Sequence, residues 1–205
     1  MLITLEGIDG SGKSTLVAAL RETLSDLDPV FTREPGSTWV GDAVRRAIAE
    51  RVDPVTEALL FVADHAAHLE TVVRPALDLG RLVISDRYTD SRYAYQGALL
   101  EGRLPDPMAW LRALHDGWTV VPDRTFLLLI PPDEAIRRLP ADKRREHFED
   151  GPLLDRVQKN YLTLAESDPA RFVLVDALLP AGEIHRFVES GIRELARRPR
   201  SRRRR

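Results

Sequence analysis

The chain has 205 residues, a length that suits one compact domain. Hydrophobic residues make up 43% and charged residues 30%, which excludes a wholly disordered chain. The absence of cysteine excludes disulfides, thiolate metal sites and cysteine nucleophiles, and it fits a cytoplasmic enzyme. The longest aliphatic run, residues 127–130, is far shorter than the roughly 20 apolar residues of a membrane span, so no membrane association is expected.

The first predicted elements are a strand over residues 2–6, a glycine-rich turn and a helix over residues 13–24. The turn matches the phosphate-binding pattern G-x-x-x-x-G-K-[ST] in the strand–loop–helix setting that the motif requires. Glycines let backbone N–H groups face phosphate oxygens, and the helix directs its positive dipole end at the same anion. Lys13 is expected to lie between the β- and γ-phosphates, and the Ser14 hydroxyl is expected to ligate Mg²⁺. The predicted nucleotide-binding residues are Gly7, Ile8, Asp9, Gly10, Ser11, Gly12, Lys13, Ser14 and Thr15.

Two candidate acceptor elements follow. The second strand, residues 30–33, leads into a proline–glycine turn that would present Arg33 and Glu34 at the carboxyl edge of the sheet. A helix predicted over residues 56–79 places Phe61 and His65 on one face, because they are four residues apart. An aromatic ring beside a hydrogen-bonding ring is suited to reading a nucleobase. Packing of Phe61 in the core is the alternative.

The third strand, residues 82–85, is followed directly by Asp86 and Arg87. Asp86 would hold Mg²⁺ through a water molecule beside Ser14, and Arg87 would face a phosphate. A structural ion pair is the alternative for these two residues.

The last two strands are predicted over residues 125–130 and 172–176, with a basic segment at about 136–149 between them. Short apolar strands that alternate with helices are typical of a parallel sheet covered on both faces. The sequence therefore predicts a doubly wound, five-stranded α/β fold with ligands beyond the carboxyl ends of the strands. Residues 1–196 are expected to form one domain.

Residues 197–205 include seven arginines, so the positive charge of the chain is concentrated at this end. The net charge is −2, but without those seven the 30 basic residues become 23 against 32 acidic ones, so the remaining chain carries −9. An acidic body argues against a main surface that binds nucleic acid. Like charges repel one another, which predicts a disordered, solvated tail. Contact of the tail with nucleic-acid phosphates is the alternative.

The segments that carry most of these features also resemble a known family. LEGIDGSGKST, TREPGST, LLFVADHAAHL, VISDRYTDSRYAYQG and LLDRVQKNYLTLA, in order from residue 1 to about residue 187, are similar to thymidylate kinases. The resemblance implies a P-loop nucleotide kinase fold with a small lid. It also implies phosphoryl transfer from ATP to dTMP to give dTDP, with Mg²⁺, usually in a homodimer.

The resemblance assigns roles to single residues. Asp9 matches a residue near the sugar 3′-hydroxyl of dTMP, and Arg33 and Arg87 match residues at its phosphate. Phe61 matches the residue that stacks on thymine, and Tyr95 matches the tyrosine that disfavours ribonucleotides. The expected substrate-binding set is Asp9, Arg33, Glu34, Phe61, His65, Arg87, Ser91, Arg92, Tyr95, Gln96 and Tyr161.

Three positions depart from the family pattern. His65 replaces an arginine that usually hydrogen-bonds thymine O4, Arg92 replaces a small polar residue, and Ser37 replaces a glycine. We expect Arg92 to take over the O4 contact with help from His65. The alternative is that Arg92 points to solvent and His65 acts alone.

The phosphate loop contains no arginine, so a transition-state arginine is expected from the lid. The predicted catalytic residues are Lys13, Asp9, Arg87, Arg137, Arg138 and Arg144. A solvated charged helix is the alternative for the lid. Two other functions stay open: a P-loop kinase for another nucleoside monophosphate, and a nucleotide-binding protein without catalysis.

Overall fold

The computed structural model describes residues 1–139 and 151–197. Its centre is a parallel sheet of five strands in the order β2-β3-β1-β4-β5. The strands are β1 Leu2–Glu6, β2 Val30–Arg33, β3 Val83–Asp86, β4 Arg124–Leu129 and β5 Phe172–Asp176. The helices around them are α1 Lys13–Thr23, α2 Trp39–Glu50, α3 Pro54–His68, α4 Arg74–Asp78, α5 Thr89–Leu99, α6 Pro107–His115, α7 Pro132–Arg138, α8 Gly151–Ser167 and α9 Ala181–Arg197. The predicted fold class is confirmed.

Two strand predictions are displaced by one residue. The third strand begins and ends one residue later than predicted, because Asp86 pairs with Leu5 on one side and Arg33 on the other. The fourth strand starts at Arg124, which pairs with Ile3, and it ends before the proline pair that cannot donate backbone hydrogen bonds. The ends of β1, β2 and β3 therefore lie side by side at the edge where the site forms.

The predicted long helix is divided. Asp53 caps the start of α3 by accepting from the backbone N–H groups of Val55 and Thr56, with Pro54 in the first turn. A π-helical turn, Leu69–Val73, separates α3 from α4. Pro75 has no N–H for the helical ladder, and the wider turn before it accommodates that gap.

The core lies between the sheet and its helices. All residues of β1 are buried, as expected for a central strand of a parallel sheet. Helix α1 packs on α9, and α5 packs on α8. Helix α9 extends through Arg197, one residue past the predicted domain end, and residues 198–205 lie outside the described part of the chain.

A buried ion pair joins α5 to Arg171, the residue that directly precedes β5. Both terminal nitrogens of Arg171 donate to the Asp90 carboxylate, at 2.5 and 3.0 Å. Arg171 also donates to the Thr125 hydroxyl on β4 at 2.8 Å. The exposed fraction of the Asp90 side chain is 2%, so Arg171 and not water is the main partner of this carboxylate.

We predict that Arg171→Met lowers the free energy of unfolding by about 3–5 kcal/mol, because it leaves a buried carboxylate without its counter-charge. Urea unfolding followed by circular dichroism would measure the change. Arg46→Met, which removes the exposed Arg46–Glu50 pair, is the control and should leave the urea midpoint nearly unchanged. Equal shifts in the two variants would contradict the prediction.

Candidate active site

One cavity of about 1330 Å³ opens at the carboxyl edge of the sheet. Its walls come from the phosphate loop, the turn after β2, helix α3, the start of α5 and the loop between β5 and α9. This is the switch point of the strand order, where β1 lies between β3 and β4. Most of the predicted site residues are therefore brought to one place.

The phosphate loop is formed by backbone that favours glycine. Gly7, Gly10 and Gly12 have φ angles of +138°, +82° and +94°. Lys13 folds back into the loop, where its ammonium donates to the carbonyl oxygens of Gly7 and Ile8, each at 2.9 Å. Burial, and then the nearby Arg87 charge, lower the pKa of Lys13 to about 8.

Gly10 also touches the first turn of α7. A Cβ atom at this position would lie 2.2 Å from the backbone oxygen of Ala135. Only glycine lets the loop approach the helix that precedes the predicted lid.

The cavity wall beside the phosphate loop is predicted to hold the acceptor, and Arg87 lies in this wall. The φ of Arg87, +67°, is unusual for a residue with a side chain. The guanidinium pairs with Asp9 at 2.8 Å and donates to the hydroxyls of Tyr95 and Ser91 at 3.3 and 3.1 Å. Burial opposes the charged form, but Asp9 keeps the pKa of Arg87 well above its ordinary value. Arg87 is thus a fixed cation in the cavity wall.

Asp86 presents a free ligand atom nearby. Its Oδ1 is buried and has no hydrogen-bond partner among the described residues. Ser14, which is exposed, lines the same cavity. A carboxylate oxygen and a hydroxyl are donors that Mg²⁺ accepts, so the residues fit the predicted metal.

Behind the cavity lies a buried network around Glu34. One oxygen of Glu34 accepts from Nδ1 of His65 and of His68, at 2.8 and 2.7 Å, and the other accepts from Nη1 of Arg92. Burial would raise the pKa of Glu34, but Arg92 and His65 hold it well below its usual range. The carboxylate and the two imidazoles could hold a metal ion by their types. Their atoms instead bond to one another, beside the Arg92 cation.

His115 on α6 completes this network. Its Nδ1 lies 2.7 Å from the carbonyl of Leu111, so Nδ1 carries the proton and Nε2 accepts from Nε of Arg92 at 3.0 Å. Burial, and then the Arg92 charge, lower the pKa of His115 to about 4, which keeps the ring neutral. Arg92 lines the cavity, and its buried Nη2 has no partner among the described residues.

The structure places His65 behind the wall of the cavity. It is fully buried outside the cavity lining, with Nδ1 on Glu34 and Nε2 within 2.8 Å of the Thr119 hydroxyl. The alternative in which His65 itself reads the base does not fit this arrangement, because both ring nitrogens already have partners. Its expected role of assisting Arg92 stays a prediction, and Glu34 joins the two residues. The alternative in which Arg92 points to solvent does not fit either, because Arg92 is buried against Glu34 and lines the cavity; its expected contact with the base stays a prediction.

The other predicted residues divide into two groups. Arg33, Phe61, Ser91, Tyr95 and Gln96 line the cavity with Asp9, Glu34, Arg87 and Arg92. Tyr161 lies behind the lining, where its hydroxyl donates to Glu6 at 3.0 Å. The resemblance implies that Tyr161 lines the substrate pocket, and in this structure it does not.

The structure describes only the first part of the predicted lid. Arg138 lines the cavity and donates to the carbonyl of Ala177 at 2.9 Å. Arg137 is mostly exposed and pairs with Glu134. Arg144 lies outside the described residues, as does most of the 136–149 segment.

Sequence reasoning missed Glu6, His115 and two cavity-lining arginines, Arg45 and Arg51. Glu6 gave a signal, since a carboxylate ending a buried strand needs partners. His115 gave none, because its partner Arg92 is 23 residues away.

The phosphate loop after β1, the strand order and the facing arginine cluster define a P-loop nucleotide kinase. The described part of the chain has no helix that is long and apolar enough to cross a membrane. Comparisons with known proteins then specify the family. The family model for thymidylate kinase matches residues 5–188, so the chain belongs to the thymidylate kinase family.

Individual relatives agree with this family. A probable thymidylate kinase of Methanoculleus marisnigri is 66% identical over 98% of this chain and all of its own length. One from Methanosarcina mazei is 50% identical over 96% of this chain and 97% of its own. The crystal structure of thymidylate kinase from Ehrlichia chaffeensis is 30% identical, covers 94% of this chain and 98% of its own, and gives a TM-score of 0.74. The chain is an enzyme of nucleotide biosynthesis, and it transfers a phosphoryl group from ATP to dTMP, giving dTDP.

We predict that Gly10→Ala weakens ATP binding at least ten-fold and lowers turnover, because the new Cβ must push the loop away from Ala135. Calorimetric titration with ATP would measure the affinity. Gly12→Ala is the matched control: its φ is also positive, but a Cβ there meets no atom within 4 Å among the described residues. Equal losses in both variants would show that backbone strain, and not the contact with α7, sets the effect.

Proposed function

We propose that the cavity binds ATP and dTMP together, with their phosphates meeting between Lys13 and Arg87. The observation that carries this proposal is that a phosphate loop and a second fixed cation line one cavity. Two polyanions repel each other, so a kinase needs positive charge where their phosphates meet.

On the donor side, the backbone amides of residues 7–15 surround the ATP phosphates. The start of α1 adds its positive dipole end. The Lys13 ammonium leaves the carbonyls of Gly7 and Ile8 and binds the phosphate oxygens instead. The loop between β5 and α9 supplies the rest of this half of the cavity, including Leu179.

We also propose a Mg²⁺ site formed by Ser14 and Asp86. The partnerless Oδ1 of Asp86 supports it, because a buried carboxylate oxygen without a donor or cation is costly. When bound, Mg²⁺ withdraws charge from the phosphates during transfer.

On the acceptor side, Arg87 grips the dTMP phosphate and Arg33 adds a second positive charge at the rim. Asp9 holds Arg87 in place until the substrate arrives, and then lies near the sugar. Tyr95, whose hydroxyl accepts from the Asp9 amide at 3.2 Å, bounds the sugar. Ser91 positions Arg87, and Gln96 lines the same wall.

The base lies against Phe61 and within reach of Arg92. Nε and Nη1 of Arg92 already donate to His115 and Glu34. Nη2 is therefore the group that can donate to the O4 atom of a pyrimidine. Nη2 is shielded from solvent, so entry of the base has to open the wall above it. His65 contributes through Glu34 and does not touch the base.

Transfer requires no strong general base in this arrangement, because the attacking oxygen of dTMP belongs to an ionised phosphate. Lys13 and Arg87 hold the reacting groups and stabilise the charge that develops. Arg137 and Arg138 are candidates for further positive charge from the lid, as is Arg144 outside the described residues.

At the level of the whole molecule, we propose a single kinase domain over residues 1–196, a basic lid at about 136–149, a solvated arginine-rich tail over 197–205 and a cytoplasmic location. We further propose a homodimer. Trp39 on α2 and Leu59 on α3 are exposed, and these two helices pack together. Their apolar surface would suit a second copy, which sedimentation analysis would detect.

The function is tested by measuring dTDP formation from dTMP and ATP with Mg²⁺, with other nucleoside monophosphates in parallel. We predict that Lys13→Ala lowers turnover by roughly 10²-fold or more, because a charge contact to the transferring group is lost. The charged fraction of Lys13 falls as pH rises through about 8. The ATP affinity of the unaltered protein should therefore fall above that pH, by up to about ten-fold per unit. Near-normal turnover in Lys13→Ala would contradict the proposal.

Arg92→Ala is expected to raise the dTMP KM about ten-fold, which corresponds to about 1.4 kcal/mol, while the ATP KM stays within about two-fold. Arg92→Lys keeps a counter-charge for Glu34 but loses the planar group of donors, so its dTMP KM should stay raised. Steady-state kinetics on variants with native circular dichroism would measure both. An unchanged dTMP KM in Arg92→Ala would remove Arg92 from base recognition.

A further inference from the structure

Glu6, the last residue of β1, is buried directly beneath the acceptor site and does not line the cavity. We infer that Glu6 is a positioning residue that holds Arg87 in the orientation that grips the acceptor phosphate. The inference rests on the proposed contact between Arg87 and the dTMP phosphate. It adds residues that do not touch the substrate but hold Arg87 in place.

The first contact of Glu6 fixes the backbone next to Arg87. Its Oε1 accepts from the backbone N–H of Tyr88 at 2.8 Å. Arg87 itself donates its N–H to the carbonyl of Leu5 at 3.0 Å. Two consecutive peptide groups are therefore tied to the end of β1. This tie holds Arg87 in its left-handed conformation, which would otherwise relax.

The second contact fixes the side chain. The Glu6 Oε2 accepts from Ser91 Oγ at 2.5 Å, and the same Oγ accepts from Nη1 of Arg87 at 3.1 Å. Ser91 thus relays between the carboxyl group and the guanidinium. Because the serine proton is directed at Glu6 or Tyr161, its lone pair faces Arg87.

The third contact links this layer to α8, the helix that follows the predicted lid. The Tyr161 hydroxyl donates to Glu6 Oε2 at 3.0 Å and lies 2.8 Å from Ser91 Oγ. Burial and the neighbouring Asp90 raise the pKa of Glu6 to about 8. In the protonated form one contact at Oε2 reverses, so that the carboxyl group donates to a hydroxyl oxygen, and the amide of glutamine can donate there in the same way.

The test compares dTMP with thymidine, which has the same base and sugar but no phosphate. Glu6→Leu removes the acceptors at nearly constant volume, and we expect it to weaken dTMP binding at least ten-fold while thymidine and ATP binding change less than about three-fold. Glu6→Gln keeps an acceptor for Tyr88 and partners for both hydroxyls, so it should restore most of the dTMP affinity. A merely structural role would weaken all three ligands together.

Thr4→Val is the matched control. Thr4 is a buried polar residue of the same strand, and it bonds to Thr125, away from Arg87. This variant should leave the ratio of dTMP to thymidine affinity unchanged. If Glu6→Leu fails to fold, Ser91→Ala removes the relay alone and should show the same selective loss of dTMP.

Arg87→Ala distinguishes a failure of the proposed phosphate contact from a failure of the role inferred for Glu6. If Arg87→Ala weakens dTMP and thymidine equally, the proposed phosphate contact itself is wrong. If Arg87→Ala is selective for dTMP, then adding Glu6→Leu to it should cause little further loss, because the two residues act on one contact. Additive losses, or equal weakening of dTMP and thymidine in Glu6→Leu, would overturn the inference while the role of Arg87 stands.

Discussion

The side-by-side register of β1, β3 and β2 is the constraint on which the site depends. Leu5 pairs with Asp86, and Asp86 pairs with Arg33. The loops that follow these three strands therefore start side by side at the edge of the sheet. A shift of one residue would turn each of these side chains to the opposite face. The ion pair of Asp90 with Arg171 stabilises this arrangement further, because it holds α5, the helix that follows β3, against the sheet.

The cations of the site differ in how firmly their partners are bound. Lys13 is held by neutral carbonyl oxygens, and Arg87 by Asp9, whose side chain is 41% exposed. Phosphate oxygens can replace such partners when a substrate arrives. Glu34, which partners Arg92, is instead buried and bonded to two histidines. The partners of Lys13 and Arg87 are thus exchangeable, while the charge of Arg92 is neutralised by a buried carboxylate.

The sequence alone predicted what is encoded locally. The phosphate loop and the strands β2 and β5 were predicted with their observed bounds, because short apolar runs and glycine spacing are properties of a single segment. The spacing of Phe61 and His65 was also interpreted correctly as one face of a helix. It could not show that this face meets the cavity at Phe61 and the buried Glu34 at His65. A carboxylate at the end of a buried strand signals that Glu6 needs partners, but the local pattern does not show that Tyr161, 155 residues away, is one of them.

Arg87 also marks a conflict between an unstrained backbone and the role that we propose for its side chain. A left-handed backbone costs an ordinary residue of order 1 kcal/mol or more, whereas glycine adopts it without strain. Glycine at position 87 would therefore suit the backbone better than arginine, yet it would remove the fixed cation from the cavity wall. Variants selected only for thermal stability would be drawn toward glycine, and away from that cation, at this position. Directed evolution of a more stable enzyme consequently has to screen for turnover as well as for melting temperature.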